Sequence, residues 1–324
     1  MEHQNNSNQP KVDNAPAWER EIIEKLVYAA LCEQKSTRRW GIFFKFLMFA
    51  YLLTLLGIVA FPTFKVSMTS ANEYHTAVIN IAGMIAENKE TNAADIIESL
   101  RSAVKDKKTK GIILHANSPG GSPVQSAYIY EEIRLIKKNH PNLPIYAVVS
   151  DMCASGCYYI VSAADKIYVN PSSLIGSIGV LMDGFGFVDV MQKIGVERRL
   201  LTAGAHKAML DPFSPAKTDE KNYMKDLLNQ VHVQFINAVK TGRGERLKET
   251  DDMFSGLIWT GEGALSLGLV DEFGAEDYVA KEVIGAENKV DFTKQEKLLD
   301  KVAGKFGIAF WQAIQQVMYS STLQ

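Results

Sequence analysis

The 324-residue chain has few cysteines, scattered histidines and almost no net charge. Its three cysteines, Cys32, Cys153 and Cys157, are too few for a disulfide scaffold, and no C-x-x-C pair indicates structural zinc. The six histidines form no H-E-x-x-H motif, so we expect no metal and no cofactor. A formal net charge of −2 gives no electrostatic reason to expect nucleic acid as a partner.

One long apolar run lies near the N-terminus. Ile42–Phe61 contains 20 residues with a single charge, Lys45, which is long enough for a helix to cross a bilayer core. A buried helix of a soluble protein is one alternative. A cleavable signal peptide is the other, and the 41 mostly polar residues before the run disfavour it. The sequence therefore predicts one transmembrane helix.

The charges beside this run predict its orientation. The N-terminal side carries a group of basic residues with no acid among them: Lys35, Arg38, Arg39 and Lys45. The positive-inside rule then predicts that residues 1–41 are cytoplasmic and that the rest of the chain is extracytoplasmic. In a bacterium this is a single-pass protein of the inner membrane with its main domain on the periplasmic or extracellular side.

Beyond the run, apolar strands alternate with amphipathic helices, which favours an α/β domain with a mostly parallel sheet. We predict strands at 76–83, 111–117, 144–150 and 166–170, with 197–202 extended. We predict helices at 93–104, 124–138, 155–164, 184–194 and 220–240.

The predicted organisation is a partly disordered N-terminal segment (1–41), the membrane helix (42–61), a linker (62–75), the α/β domain (76–285) and an amphipathic C-terminal segment (286–324). That last segment either lies on a membrane or partner, or packs on its own domain.

A glycine loop follows the second predicted strand. In "NSPGGS" (117–122), Pro119 favours a turn, and Gly120 and Gly121 let the backbone approach another group closely. Backbone N–H groups in such a loop can stabilise an oxyanion, which is worth roughly 3–4 kcal/mol per donor in hydrolases. An ordinary strand-to-helix turn is the alternative.

The second loop contains a serine among small residues. In "DMCASGCYYI" (151–160), Ser155 follows a predicted strand and opens a helix, where the helix dipole favours negative charge. The N–H of Gly156 belongs to the first helical turn and needs a partner outside the helix. A helix-capping serine is the alternative. Two such loops at strand ends together favour Ser155 as a nucleophile.

The general base is less evident from the residues. His115 and His206 are conceivable, but no acid is singled out to orient either of them. A lysine kept neutral by burial does the same work, and Lys207 lies among small and apolar residues. Lys166 is a weaker candidate, because its surroundings are typical of a solvated turn.

Three segments, "NSPGGS", "DMCASGCYYIVSAADKIYVNPSSLIGSIGV" and "AGAHKAMLDPFSP", closely resemble the signal peptide peptidase A family of membrane-bound serine proteases. The resemblance spans Thr76 to Glu282 and implies the Clp protease/crotonase-like fold of repeated β-β-α units. It implies a Ser-Lys dyad of Ser155 as nucleophile and Lys207 as general base. It also implies that Ser177 orients the lysine, and that the oxyanion hole comes from Gly120, Gly121 and Gly156, with Gly121 preferred to Gly120.

The resemblance further implies a ring of identical subunits, in which one chain supplies the serine and the next supplies the lysine. The expected function is a membrane-anchored endopeptidase that cuts short apolar peptides, such as released signal peptides, outside the cytoplasm. The alternatives are a crotonase-type acyl-CoA hydratase or isomerase and a catalytically inactive membrane scaffold.

Cys153 and Cys157 stand where the family usually carries alanine or glycine, and we expect them to be buried small side chains rather than a disulfide.

Overall fold

The computed structural model describes residues 17–60 and 73–294, which fall into two compact units divided between residues 71 and 72. The described residues of the first unit form one helix, α1 (Ala17–Ala60), whose side chains are exposed from Glu21 to Thr54. Within the described ranges, no helix combines the length and the apolarity that crossing a membrane requires. The span Ile42–Phe61, whose last residue lies outside the described residues, stays a prediction.

Other predictions also fall outside the described residues. They concern the disordered segment at 1–16, most of the linker at 62–75 and the C-terminal stretch from 295 onwards.

The second unit contains a sheet of eight strands. The strands are β1 (His75–Ile85), β2 (Thr109–Gly121), β3 (Ile145–Ala154), β4 (Lys166–Val169), β5 (Leu174–Gly176), β6 (Ile258–Thr260), β7 (Glu272–Phe273) and β8 (Lys289–Asp291). The helices are α2 (Ala93–Lys105), α3 (Pro123–Asn139), α4 (Gly156–Val161), α5 (Val188–Lys193), α6 (Thr218–Arg243), α7 (Gly261–Ser266) and α8 (Glu276–Tyr278). A 3₁₀ turn (Gly244–Arg246) follows α6, and a π-helical segment (Val279–Ile284) follows α8.

The strand order is β6-β5-β3-β2-β1-β8, with β4 paired to β3 and β7. Every strand pair is parallel except β5 with β6, so the prediction of a mostly parallel α/β domain is confirmed. The central strands are apolar on both faces, as parallel strands covered on both sides must be. Ile79, Leu114 and Val149 face the main core, while Ile113 and Val148 belong to a smaller cluster on the other face.

The long predicted elements are present, but the shorter ones differ. The four predicted strands match β1 to β4 to within one residue where they overrun them, and the helices at 93–104 and 124–138 match α2 and α3. The helix predicted at 184–194 is limited to α5, and 197–202 forms no strand. Strands β5 to β8 have only two or three residues, too few to show a period of two in the sequence. The sheet continues through β8 to Asp291, past the predicted domain end at 285.

One edge of β3 is shared between two strands. Residues Tyr146–Val149 pair with β4, and residues Met152–Ala154 pair with β5. The chain beyond Ala154 therefore leaves the sheet beside β5 and enters α4, a helix in which every residue is buried. Ser155 is the residue at this junction.

Candidate active site

Ser155 has a backbone conformation that side-chain-bearing residues rarely adopt. Its φ is 53° and its ψ is −123°, between the end of β3 and the start of α4. Its N–H donates to the carbonyl of Gly176 at 2.8 Å, and its carbonyl accepts from the Tyr159 N–H at 3.0 Å. Its side chain makes no capping hydrogen bond, so the alternative of a helix-capping serine is not what the structure shows.

Positive φ is rare among the described residues other than glycine. It occurs at three of them, Ser155, Ser177 and Leu210. Ser177 has a φ of 52° and is held by its N–H, which donates to the Leu257 carbonyl at 2.7 Å. Such conformations cost on the order of 1–3 kcal/mol and concentrate at functional sites. Two of the three residues with this strain are predicted site serines.

The glycine loop packs against the Ser155 turn through its backbone. A Cβ at Gly120 would lie 2.6 Å from both the Ala154 carbonyl oxygen and the Gly156 nitrogen. A Cβ at Gly121 would lie 2.1 Å from the Ile85 carbonyl oxygen. Only glycine fits either position, because real Cβ atoms do not approach backbone atoms this closely. The two loops predicted from the sequence are therefore in direct contact.

The hydrogen bonds of this loop favour one glycine over the other as an oxyanion donor. The Gly120 N–H donates to Ser118 Oγ at 3.1 Å. The nitrogens of Gly121 and Gly156 lie close together, since a Cβ at Gly156 would be 3.1 Å from the Gly121 nitrogen. Gly121 and Gly156 stay the better candidates for the pair of donors.

A cavity of about 570 Å³ brings five of the predicted site residues together. They are Gly120, Gly121, Ser155, Gly156 and Ser177. Its walls are mostly apolar, with Met84, Leu181, Val231 and Phe235 among them. None of the described residues that line it is an aspartate, glutamate, histidine, lysine or arginine. Within one chain, this cavity contains a candidate nucleophile but no side chain suited to act as its base.

Lys207 lies outside this cavity. It belongs to the segment 180–217, hereafter the arm, which contains α5 as its only described helix before α6 begins. The Lys207 side chain is exposed, and the backbone N–H of Lys207 donates to the Gly204 carbonyl at 3.2 Å. The structure of one chain therefore does not bring Lys207 to Ser155, and the role of each residue stays a prediction.

The other candidate bases are also elsewhere. His206 is exposed on the arm. Lys166 Nζ lies 2.5 Å from Glu272 Oε1, and this hydrogen bond raises the pKa of the lysine. Lys166 thus stays protonated and is unsuited to be a base. His115 contacts Ser150 and Glu276 in a different cavity.

The two cysteines beside Ser155 are buried as predicted, but the prediction that they form no disulfide was wrong. Cys153 and Cys157 form a disulfide, with their Cα atoms 5.1 Å apart and both residues fully buried. The positive φ of Ser155 turns the chain back between β3 and α4, which brings two residues four apart within bonding range. Cys32 is a free, exposed cysteine.

Sequence reasoning also missed the apolar wall of the cavity. Met84 lies at the end of β1 and is 58% exposed, and Leu181 opens the arm at 82% exposed. Phe235 projects from α6 and is buried. These three residues are far apart in the sequence, and no local pattern singles them out.

Two family models match the chain, "Clp protease" over residues 70–175 and "Peptidase family S49" over residues 137–290. A protein of Methanocaldococcus jannaschii named a "putative protease" is 30% identical over 243 residues, which are 73% of this chain and 77% of that protein. The chain belongs to the signal peptide peptidase A family, peptidase family S49. The part of the chain that matches is therefore a serine peptidase domain.

Other relatives are longer than the region that this chain matches. A protein of Enterococcus faecium named "Putative signal peptide peptidase SppA" is 31% identical over 229 residues, which are 68% of this chain and 63% of that protein. A Brucella abortus protein named "Na(+)/H(+) antiporter NhaA" is 41% identical over 198 residues, which are 61% of this chain. The chain spans 27% of the length of that protein, and the antiporter name describes that protein only.

Proposed function

We propose that this S49 peptidase is a membrane-anchored endopeptidase whose Ser-Lys dyad takes Ser155 from one chain and Lys207 from a neighbouring copy. One observation carries this proposal. The Ser155 cavity has no acidic or basic side chain among the described residues that line it, whereas Lys207 is exposed on the arm of the same chain. A second copy supplies the missing base if its arm reaches the cavity.

The arm has the composition of an interface. Large apolar side chains project from it without cover, including Leu201 at 97% exposed, Leu181 at 82% and Phe185 at 79%. Apolar patches of this kind mark surfaces that bind other proteins. Lys207 is exposed on the same segment, so an assembly that buries the arm around it also desolvates the lysine. Desolvation favours the neutral amine, which is the form that accepts a proton.

The proposed reaction is a two-step acyl transfer. Ser155 Oγ attacks the peptide carbonyl carbon while Lys207 Nζ accepts the hydroxyl proton and then delivers it to the leaving amine. The N–H groups of Gly121 and Gly156 stabilise the oxyanion, and Ser177 orients the lysine. Water, activated by the same lysine, then hydrolyses the acyl-enzyme.

The apolar cavity walls support apolar peptides as substrates, and released signal peptides are apolar. An extracytoplasmic location is supported by the Cys153–Cys157 disulfide, because such bonds persist in oxidising compartments. The apolar run Ile42–Phe61 supports the membrane anchor.

The test is complementation between two inactive variants, Ser155→Ala and Lys207→Ala, co-assembled from full-length chains and assayed on a fluorogenic apolar peptide. Random mixing restores up to roughly a quarter of the sites if the dyad forms between chains, because half the serines and half the lysines are intact. If both residues come from one chain, no mixed assembly contains a complete dyad. Zero recovery with mixing confirmed by two affinity tags rules out the shared site, and full activity of Ser155→Ala alone rules out the nucleophile.

A further inference from the structure

A second serine, Ser150, is hydrogen-bonded to a histidine that is itself bonded to a carboxylate. Ser150 Oγ lies 3.0 Å from His115 Nε2, and His115 Nδ1 lies 2.5 Å from Glu276 Oε2. Nucleophile, base and orienting acid are thus connected in the order that a serine hydrolase requires. The sequence offered no acid for His115, because Glu276 is 161 residues further along the chain.

The fold explains how these residues meet. His115 follows Ile113 on one face of β2, and Ser150 follows Val148 on the same face of the neighbouring strand β3. Glu276 is the first residue of α8, which follows β7. The three side chains therefore come from three elements held by the sheet.

The proton positions follow from the state of Glu276. Its pKa is lowered to about 2, chiefly by the hydrogen bond from His115 and further by Lys289, whose Nζ lies 2.8 Å from Glu276 Oε1. The carboxylate is ionised at neutral pH and only accepts, so His115 Nδ1 carries a proton. In the neutral imidazole Nε2 is then an acceptor, and the Ser150 hydroxyl donates to it. This is the tautomer in which the histidine can take the serine proton.

The three residues line a cavity of about 620 Å³ that is open enough to leave the His115 side chain 31% exposed. Among the residues that the structure describes, none lines both this cavity and the Ser155 cavity. Much of its remaining wall is apolar, including Val148, Val169 and Phe273. The two carboxylates of Glu276 and Asp277 outnumber the one ammonium group of Lys289 in its wall, and this excess of negative charge disfavours anionic ligands.

We propose that Ser150, His115 and Glu276 form a second catalytic centre, which hydrolyses uncharged short-chain acyl esters. Ser150 Oγ bonds to the ester carbonyl carbon as its proton passes to His115 Nε2. The ester C–O bond breaks, and His115 delivers that proton to the leaving alkoxide, which departs as the alcohol. Water then attacks the acyl-serine with His115 as base, which releases the carboxylic acid and restores the Ser150 hydroxyl.

The experiment uses the full-length Ser155→Ala chain, so that the first nucleophile is absent and the outcome is independent of the proposed peptidase site. The chain is treated with a fluorophosphonate probe, digested, and the labelled residue is located by mass spectrometry. Ser150 is expected to be labelled. Ser173 is an internal control, because it is buried and its hydroxyl donates to the Ser150 carbonyl at 2.5 Å, and it is expected to stay unlabelled.

Two further variants in the same background separate activation from mere accessibility. His115→Gln keeps hydrogen-bonding groups but cannot accept the proton, and it is expected to reduce labelling of Ser150 at least tenfold. Ser150→Ala is expected to abolish both labelling and the hydrolysis of p-nitrophenyl butyrate above the buffer rate. Thermal unfolding midpoints within a few degrees of the parent confirm that each variant is folded. Absence of label at Ser150, or labelling that is unchanged in the folded His115→Gln variant, overturns the proposal.

Discussion

Cys153 and Cys157 lie on either side of Ser155, with their Cα atoms 5.1 Å apart and their sulfur atoms joined in a disulfide. The bond connects the end of β3 to the first turn of α4, so it closes a short loop around the candidate nucleophile. Ser155 within that loop has a φ of 53°, a conformation that needs support from its surroundings. We conclude that the disulfide holds this turn.

Replacing both cysteines with alanine is expected to lower the free energy of unfolding by about 2 kcal/mol, the loop-closure entropy of so short a ring. The kcat for peptide hydrolysis is expected to fall more than KM rises, because the nucleophile turn is no longer held. Denaturant unfolding and steady-state kinetics measure the two effects. Cys32→Ala is the matched control and is expected to change neither, since Cys32 is exposed and unpaired. An unchanged kcat in the double variant would show that the Ser155 turn keeps its conformation without the disulfide.

Gly121→Ala is expected to reduce peptidase activity at least a hundredfold, because the new Cβ would lie 2.1 Å from the Ile85 carbonyl oxygen and must displace the glycine loop. Gly83→Ala is the control, since Gly83 also has positive φ but open space around its Cβ position. That substitution is expected to cost only about 1 kcal/mol of stability and to leave kcat near its original value. Equal losses of activity in the two variants would contradict a specific role for the Gly121 backbone.

Leu201→Asp is expected to break the assembly and with it the activity, because this side chain is 97% exposed in one chain and lies on the arm that carries Lys207. Sedimentation velocity and peptide hydrolysis report the two effects. Leu135→Asp on α3 replaces another exposed leucine and is expected to preserve both. Wild-type size and activity in Leu201→Asp would remove the arm from the proposed interface.

The lowered pKa of Glu276 predicts that the stability of the protein depends on pH. Its pKa is about 2 in the folded chain, where His115 and Lys289 face it and Asp277 shares Lys289, against 4.5 for an ordinary glutamate. A lowered folded pKa stabilises the protein above the unfolded pKa, and this stabilisation disappears as the pH falls from 4.5 towards 2.

The difference in unfolding free energy between the wild type and Glu276→Gln is therefore expected to be largest near pH 7, roughly 3 kcal/mol, and to be nearly lost by about pH 2. Chemical denaturation at a series of pH values measures it. Glu272→Gln, which breaks the exposed pair with Lys166, is the control, with an expected effect below about 1 kcal/mol. A difference that stays constant from pH 7 to pH 2 would contradict the role of the ionised Glu276.

The sequence by itself determined the elements whose pattern is local. The continuous apolar runs that became β1 to β4 and the helical periodicity of α2 and α3 are each visible within one segment, so these elements were predicted near their observed bounds. The glycine pair and the small residues at the strand ends are also local motifs. They singled out Gly121 and Ser155 as candidate site residues, and they carry the resemblance to the family. Each of these signals lies within about ten neighbouring residues.

Tertiary structure decided everything that depends on which distant residues meet. Strand β5, three residues long, is a strand because it pairs with both β3 and β6, and its place beside β3 supplies the carbonyl of Gly176 to the Ser155 N–H. The same sheet order brought Glu276 to His115 and left Lys207 on an exposed arm. Hydrogen bonds and burial depend on distances in the folded chain. The local sequence pattern does not show which distant residues become neighbours, because the sheet order determines that.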